Sequence, residues 1–280
     1  MPLQAMSPDN VAVVTGGASG IGLAAAMRFA QAGMKVCIAD IGADRLKDAE
    51  GKLSSAAGAA NIMAVTVDVS RIEQVQELES AVRKRFGGTD ILMNNAGIQP
   101  GSKMFGPTEN WQRILGVNLW GVINGAQLFA PHMIERGRPG LIINTGSKQG
   151  ITTPPGDPAY NVTKAGVKAF TEALQHELRG MNSKVSAHLL IPGFVFTGLT
   201  ARGRTEKPPG AWTGEQTVDF MIASLQAGDF YILCPDNDVP RSLDERRILW
   251  AAGDIVENRP ALSRWHPDYA EAFAAFAKKS

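Results

Sequence analysis

Short apolar runs alternate with longer stretches of helical periodicity along most of this chain. Residues 11–15 are apolar or β-branched throughout, which is typical of a strand buried on both faces. The alanine-rich residues 20–32 follow and predict a helix that ends at Gly33. Because parallel strands need helical crossovers, the alternation predicts an α/β fold, a Rossmann-type doubly wound parallel sheet of about seven strands with helices on both faces.

The alternation continues to residue 192 and then loosens. Further strands are predicted at residues 35–39, 62–67, 91–94, 141–145, 184–191 and 230–233, and further helices at residues 43–56, 72–86, 111–136, 159–179, 214–226, 243–252 and 267–278. We expect one domain over residues 1–280, with a substrate loop and helix at residues 198–228 and a C-terminal extension at residues 235–280. Residues 200–211 collect Gly, Arg and Pro, so they are a candidate lid.

The charge balance excludes some partners. A formal net charge of +1, with no basic cluster longer than residues 83–85, predicts neither nucleic-acid nor membrane binding. Cys37 and Cys234 are isolated in apolar runs, which predicts buried thiols in a reducing compartment. The four histidines have no ligand spacing, so no metal is expected. The first ten residues do not resemble a signal peptide, and we expect a cytoplasmic protein.

The first predicted strand leads into the glycine-rich residues 15–22 and then into a helix. Glycines allow a sharp turn and close approach to a ligand, and the helix N-terminus directs unpaired amides at a phosphate. No Lys-Ser or Lys-Thr follows Gly22, so this is not a Walker loop. The segment predicts a dinucleotide site.

Asp40 lies at the end of the second predicted strand, 18 residues beyond Gly22. A carboxylate there can accept both ribose hydroxyls of adenosine and would repel a 2′-phosphate. No Lys or Arg lies in the glycine loop to offset this repulsion, so NAD is predicted rather than NADP. The alternative is that Asp40 only caps the following turn.

Tyr160 and Lys164 lie four residues apart in a predicted helix, and Ser147 precedes Tyr160 by 13 residues. Residues four apart share a helix face, so the ammonium of Lys164 can lie beside the phenol. A charge at roughly 4 Å is worth on the order of 4 kcal/mol, or about three pKa units, and would make Tyr160 a proton donor and acceptor near neutral pH. The alternative is a solvated surface pair.

With these motifs, residues 11–199 resemble the short-chain dehydrogenase/reductase family. The glycine loop matches the family's Thr-Gly-x-x-x-Gly-x-Gly motif, and residues 94–97 match its Asn-Asn-Ala-Gly signature. Residues 68–69 resemble the pair that holds adenine, and residues 192–197 resemble the segment that contacts the nicotinamide carboxamide. Together with Asp40, the resemblance implies cofactor contacts at Gly16, Ser19, Gly20, Ile21, Gly22, Asp68, Val69, Asn95, Ala96, Gly97, Tyr160, Lys164, Pro192, Gly193, Val195 and Thr197.

The resemblance also implies a catalytic tetrad of Asn118, Ser147, Tyr160 and Lys164. Tyr160 would exchange a proton with the substrate oxygen, and Ser147 would fix and polarise that oxygen. Lys164 would lower the phenol pKa and bind the nicotinamide ribose. Asn118 would hold a water that connects Lys164 to solvent.

The substrate pocket is expected above the nicotinamide, at the carboxyl ends of the strands. The predicted walls are Gln149, Thr153, Phe194, Phe196 and Trp212, a set without Lys or Arg that favours a fairly apolar secondary alcohol or ketone.

The chain after residue 233 departs from the family's usual Val-Asp-Gly-Gly tail. A homodimer or homotetramer is predicted, but tetramers formed by the usual route are in doubt. A dimer through residues 111–136 and 159–179 would cover apolar surface.

The leading functional prediction is an NAD-dependent alcohol dehydrogenase or carbonyl reductase, and an NAD preference would favour oxidation. A catalytically inactive dinucleotide sensor or scaffold is the main alternative on the same fold. A third alternative is the epimerase or dehydratase branch of the superfamily. Its members usually have a longer substrate domain and a Gly-x-x-Gly-x-x-Gly loop, which this chain lacks.

Overall fold

The computed structural model describes residues 2–201 and 203–278. Within them, seven strands form one parallel sheet in the order β3-β2-β1-β4-β5-β6-β7. The strands are β1 (Val11–Thr15), β2 (Lys35–Asp40), β3 (Ile62–Thr66), β4 (Ile91–Asn94), β5 (Gly140–Thr145), β6 (Val185–Ile191) and β7 (Tyr231–Leu233). The predicted doubly wound Rossmann-type sheet is therefore confirmed.

The helices are α1 (Gly20–Gln31), α2 (Ala43–Ala57), α3 (Ile72–Phe86), α4 (Thr108–Leu115), α5 (Gly121–Glu135), α6 (Gln149–Thr152), α7 (Pro158–Gly180), α8 (Gly198–Ala201), α9 (Gly214–Ala227), α10 (Arg241–Val256) and α11 (Ala270–Lys278). Short 3₁₀ turns lie at Pro2–Ala5, Ala59–Asn61, Ser263–Trp265 and Pro267–Tyr269. Two predicted sequence features fall partly outside the described residues: the lid segment contains Arg202, and the extension reaches Lys279 and Ser280.

Alternate residues of each strand bury on opposite faces of the sheet. Ala12 and Val14 of β1 pack in the layer that contains α1, α2 and α9. Val11 and Val13 pack in the layer that contains α3, α5 and α7. All five residues of β1 are buried, which explains why the sequence is apolar there without a polar alternation.

The predicted helix at residues 111–136 differs from the observed structure. The chain is helical from Thr108, but a π-helical turn at Gly116–Trp120 separates α4 from α5. Asn118 lies in this turn, fully buried, and its amide exchanges two hydrogen bonds with the backbone of Ile98. The π-helical turn therefore coincides with tertiary hydrogen bonds to Ile98, which the helical periodicity of the sequence does not predict.

The C-terminal extension packs around Trp250 of α10. The Trp250 ring lies 5.4 Å from the Phe273 ring and 5.3 Å from the Phe276 ring, both on α11. The guanidinium of Arg259 lies 4.0 Å from the Trp250 ring centre. This cluster folds the extension back on itself beside the carboxyl edge of the sheet, where α10 contacts α6.

Cys37 and Cys234 are both buried, as predicted, and burial raises the pKa of each thiol to about 12. Among the described residues, no helix is long and apolar enough to cross a membrane.

Candidate active site

The order of strands reverses between β1 and β4, so the loops that follow these two strands diverge from one crevice. Gly16 has a φ of +63°, and a Cβ on it would lie 2.8 Å from the Cα of Ala96. Gly20 has a φ of +54°, and its Cβ would lie 2.9 Å from the Cγ2 of Thr197. A Cβ on Gly22 would collide with the carbonyl oxygen of Gly16. Only glycine fits these three positions, so the loop turns sharply and packs closely on the Asn-Asn-Ala-Gly segment and on Thr197.

Thr15 and Asn95 hold the two loops together. The hydroxyl of Thr15 accepts hydrogen bonds from the amides of Asn95 (3.0 Å) and Ala96 (3.2 Å). The Asn95 side chain donates to the carbonyl of Thr15 at 3.2 Å and accepts from the hydroxyl of Thr145 at 3.3 Å. The glycine loop, the Asn-Asn-Ala-Gly segment and the end of β5 are thus one connected unit.

Asp40 lies where β2 ends, against the glycine loop. Its carboxylate accepts from the amide of Ala18 at 3.2 Å and from the amide of Gly42 at 3.3 Å. The Gly42 contact is the turn cap given above as the alternative role of Asp40, and the Ala18 contact connects Asp40 to the glycine loop. Arg45 also lies 3.7 Å from Asp40, a contact that the sequence analysis missed because it depends on where α2 begins.

Ser147 and Tyr160 meet at the carboxyl ends of the strands, Ser147 just after β5 and Tyr160 in the first turn of α7. The Ser147 side chain lies close enough to the phenol to lower the pKa of Tyr160. The hydroxyl of Ser147 also accepts from the amide of Gln149 at 3.2 Å, which orients it.

Burial controls the protonation of the phenol. It raises the pKa of Tyr160 to about 12; the neighbouring Ser147 side chain opposes this shift, and the charge of Asp157 adds to it. Lys164 is not among the causes of this shift, so the expectation that it lowers the Tyr160 pKa stays a prediction. The Lys164 ammonium lies 5.7 Å from the centre of the Tyr160 ring and donates to the carbonyl of Thr145 at 2.8 Å.

Lys164 is only 4% exposed, and burial lowers its pKa to about 8. A Cβ on Gly97 would lie 4.0 Å from the Lys164 ammonium and 3.6 Å from the side-chain oxygen of Asn118. Asn118 and Lys164 therefore border the same point of the Asn-Asn-Ala-Gly segment. The predicted tetrad is brought together, and it adjoins the glycine loop through Asn95 and Thr145.

The other predicted cofactor contacts lie along the same edge. Asp68 and Val69 follow β3, where Asp68 accepts from the amide and hydroxyl of Ser70, at 3.0 and 2.6 Å, and the carbonyl of Val69 accepts from Asn124. Ser19 precedes α1 and Ile21 lies in its first turn. Pro192, Gly193, Val195 and Thr197 follow β6, and Thr197 reaches the glycine loop at Gly20.

The predicted substrate walls fall into two groups. Gln149 and Thr153 bound the short helix α6, and Thr153 has a left-handed φ of +42°, a conformation rare for a β-branched residue. Phe194 and Phe196 pair through their backbones with Trp212. The Trp212 ring packs 5.7 Å from the Phe220 ring and donates to Asn237, so it also supports the loop that carries it.

The fold is that of a Rossmann-type α/β protein, and comparison with known proteins specifies the family. A model described as short chain dehydrogenase matches residues 10–208. The 1-deoxy-11-beta-hydroxypentalenate dehydrogenase of Streptomyces exfoliatus is 33% identical over 270 residues, covering 91% of this chain and 94% of that protein.

Solved structures agree with this assignment. A short chain dehydrogenase/reductase from Burkholderia phymatum, in complex with NAD, has a TM-score of 0.82 at 30% identity, covering 91% of this chain and 96% of that chain. The L-sorbose reductase of Gluconobacter frateurii, complexed with NADPH and L-sorbose, has a TM-score of 0.64 at 34% identity, covering 71% and 73%. The chain belongs to the short-chain dehydrogenase/reductase family. It is an oxidoreductase acting on CH–OH groups.

Proposed function

We propose that this protein is an NAD-dependent oxidoreductase that interconverts a fairly apolar secondary alcohol and its ketone. The observation that carries the proposal is the placement of Ser147, Tyr160 and Lys164 side by side, next to a glycine loop in which side chains do not fit. An inactive sensor on this fold would have no use for a buried phenol held against a serine.

The residues of the crevice fit a dinucleotide. The loop that contains Gly16 and Gly20 would present backbone amides at the N-terminus of α1 to a pyrophosphate, and the Asp40 carboxylate beside this loop would accept the adenosine ribose hydroxyls. The NAD and NADPH complexes of the structural relatives support a nicotinamide dinucleotide. When bound, this cofactor supplies the hydride donor or acceptor and, when oxidised, a positive ring charge.

Tyr160 is the general acid in reduction and the general base in oxidation. Its phenol keeps its proton at neutral pH, since burial raises its pKa to about 12, which suits donation to the oxygen of a ketone. Oxidation requires the phenol to lose this proton, so positive charge from Lys164 must assist it. Ser147 fixes the substrate oxygen beside Tyr160, and Asn118 and Lys164 border the route of the proton to solvent.

The decisive experiment compares the wild type with Tyr160→Phe. A panel of neutral and carboxylate-bearing secondary alcohols, including aromatic, cyclic and polycyclic members, is incubated with NAD, and NADH formation is followed at 340 nm. The phenylalanine variant should bind NADH with wild-type affinity, measured by fluorescence, and lose at least about a hundredfold in turnover. Turnover retained in this variant would refute the role of Tyr160.

Two further features are proposed. We place the protein in the cytoplasm, and we propose a homo-oligomer formed through α5 and α7. Trp120, which precedes α5, is 55% exposed, and Val162 of α7 is 48% exposed. Leu119, in the π-helical turn before α5, packs on Gly166 of α7, so both apolar side chains lie near the contact of this turn with α7.

A further inference from the structure

A buried cation connects the catalytic serine to the C-terminal extension. Lys148 follows Ser147, and its ammonium lies 3.3 Å from the carboxylate of Asp236 and 2.5 Å from that of Asp244. Asp236 lies just after β7 and Asp244 in the first turn of α10. All three side chains are largely buried. One ammonium therefore binds two separate parts of the extension.

Two of these residues, Lys148 and Asp236, enclose the segment that follows β6, while Asp244 acts on it through Lys148. The amide of Lys148 donates to the carbonyl of Pro192 at 3.3 Å, and the carboxylate of Asp236 accepts from the amide of Phe194 at 3.2 Å. A Cβ on Gly193 would lie 2.5 Å from the Asp236 carboxylate and 2.7 Å from the Lys148 ammonium. Residues 192–194 are thus held on both sides, with Gly193 packed directly on the ion pair.

Stability alone does not require an ion pair at this place. Burying charges costs several kcal/mol of desolvation each, and replacing a buried ion pair by apolar residues is often neutral or stabilising. Here burial raises the pKa of Asp244, and the Lys148 ammonium and Arg247 oppose that shift. A charged arrangement that apolar residues could replace, and that fixes three segments at one point, is suited to positioning.

We propose that Lys148, Asp236 and Asp244 are positioning residues that hold Ser147 and residues 192–194 at a fixed separation across the active site. The extension is then a structural part of the catalytic centre, because α10 supplies one of the two carboxylates. This inference rests on the proposed function for its effect on turnover, whereas its effect on residues 192–194 can be measured without it.

The test is the isosteric variant Asp244→Asn, which leaves Lys148 paired with Asp236. Two controls lie in the same extension. Glu245→Gln removes an exposed ion pair with Arg241 on α10. Asp254→Asn breaks the pair with Arg259, whose side chain lies 3.0 Å away. It should lower the Tm of the protein and leave the contacts of Lys148 unchanged. Amide hydrogen exchange of residues 192–196, Tm, NADH affinity and kcat are measured for each variant.

Asp244→Asn should speed exchange at residues 192–196 and lower kcat by about tenfold or more, since small displacements around reacting groups are costly. NADH affinity should change far less than kcat. Both controls should keep wild-type exchange at these residues and wild-type kcat, even where Tm falls. Lys148→Arg should retain more kcat than Lys148→Met, because it keeps the charge.

Unchanged exchange and kcat in Asp244→Asn would overturn the inference. So would an equal effect of Asp254→Asn at an equal loss of Tm, which would show a purely stabilising role. If the wild-type protein binds no NADH and oxidises no alcohol, the proposed function is refuted instead. The exchange of residues 192–196 in Asp244→Asn would then decide the inference alone.

Discussion

Tyr160 and Lys164 lie on adjacent turns of α7, and both are almost fully buried. Spacing on a helix is enough to predict that they are neighbours, but their pKa values depend on the solvent that the fold removes. Burial raises the pKa of Tyr160 and lowers that of Lys164, so each neutral form is favoured. The pKa values of the two groups are therefore shifted in opposite directions. A charge placed beside them would change which of the two groups holds a proton.

Replacing Lys164 should change how stability depends on pH. Its pKa falls from 10.5 to about 8 on folding, so the unfolded chain binds more protons between these values and the free energy of unfolding rises with pH there. The wild type should gain about 3 kcal/mol relative to Lys164→Met between pH 8 and pH 10.5, an order-of-magnitude figure. Urea unfolding at a series of pH values measures the difference. Lys168→Met, at a half-exposed site on the same helix, is the control for removing a lysine side chain from α7.

The pair Asp40–Arg45 should control the choice of cofactor. Asp40→Ala removes the charge that repels a 2′-phosphate and leaves Arg45 free to bind it. The ratio of kcat/KM for NADP to that for NAD should rise about ten- to a hundredfold, since a charge-assisted hydrogen bond contributes about 1.5–3 kcal/mol. The double variant Asp40→Ala, Arg45→Ala should lose most of this gain. Equal ratios in the single and double variants would show that Arg45 plays no part.

At the scale of elements, α5 packs closely on β4, the strand that leads into the Asn-Asn-Ala-Gly segment of the site. A Cβ on Gly125 would collide with the side-chain oxygen of Asn94. The Asn94 amide donates to Asn144 at 2.9 Å, and the Asn144 amide donates to Thr171 of α7 at 3.1 Å. This buried chain of amides joins β4, β5 and α7, the elements that carry the Asn-Asn-Ala-Gly segment, Ser147 and Tyr160.

Gly125→Ala should therefore force α5 away from β4 and destabilise the protein by about 1–3 kcal/mol, as overpacking does. Gly51→Ala is the matched control, because Gly51 lies inside α2 with open space around it. That control should be neutral or stabilising by up to about 1 kcal/mol, the helix preference of alanine over glycine. Thermal unfolding of both variants measures the contrast. A stable Gly125→Ala would show that the collision is relieved by a small shift.

The elements differ in how well the sequence predicts them, and the reason is the range of the interactions. β1 and β4 were predicted to the residue, because buried parallel strands need continuous apolar runs. The π-helical turn around Asn118 was not, because the local sequence remains helical and the accompanying bonds to Ile98 are tertiary. Among candidate site residues, the tetrad followed from motifs, but the contacts of Arg45 with Asp40 depend on how distinct segments meet.

The ion pairs of Lys148 show the same limit for the whole molecule. Lys148 is adjacent to Ser147 in sequence, whereas Asp244 is 96 positions further along the chain. Charge patterning reports neighbours on one helix and gives no signal for such a pair. The departure of the tail from the family pattern was visible in the sequence, but its contact with the catalytic loop required the fold.

The exposed apolar residues beside α5 and on α7 predict how copies of the molecule associate. Trp120→Glu places a charge in the proposed interface and should convert a wild-type dimer into a monomer of unchanged fold, because a buried unpaired carboxylate opposes association. Leu249→Glu, at a 59% exposed site on α10, introduces the same charge away from these helices and should leave the dimer intact. Sedimentation velocity measures the mass of each species, and circular dichroism confirms the fold. If Leu249→Glu alone dissociates the protein, the extension forms the interface, and the expected route through α5 and α7 is wrong.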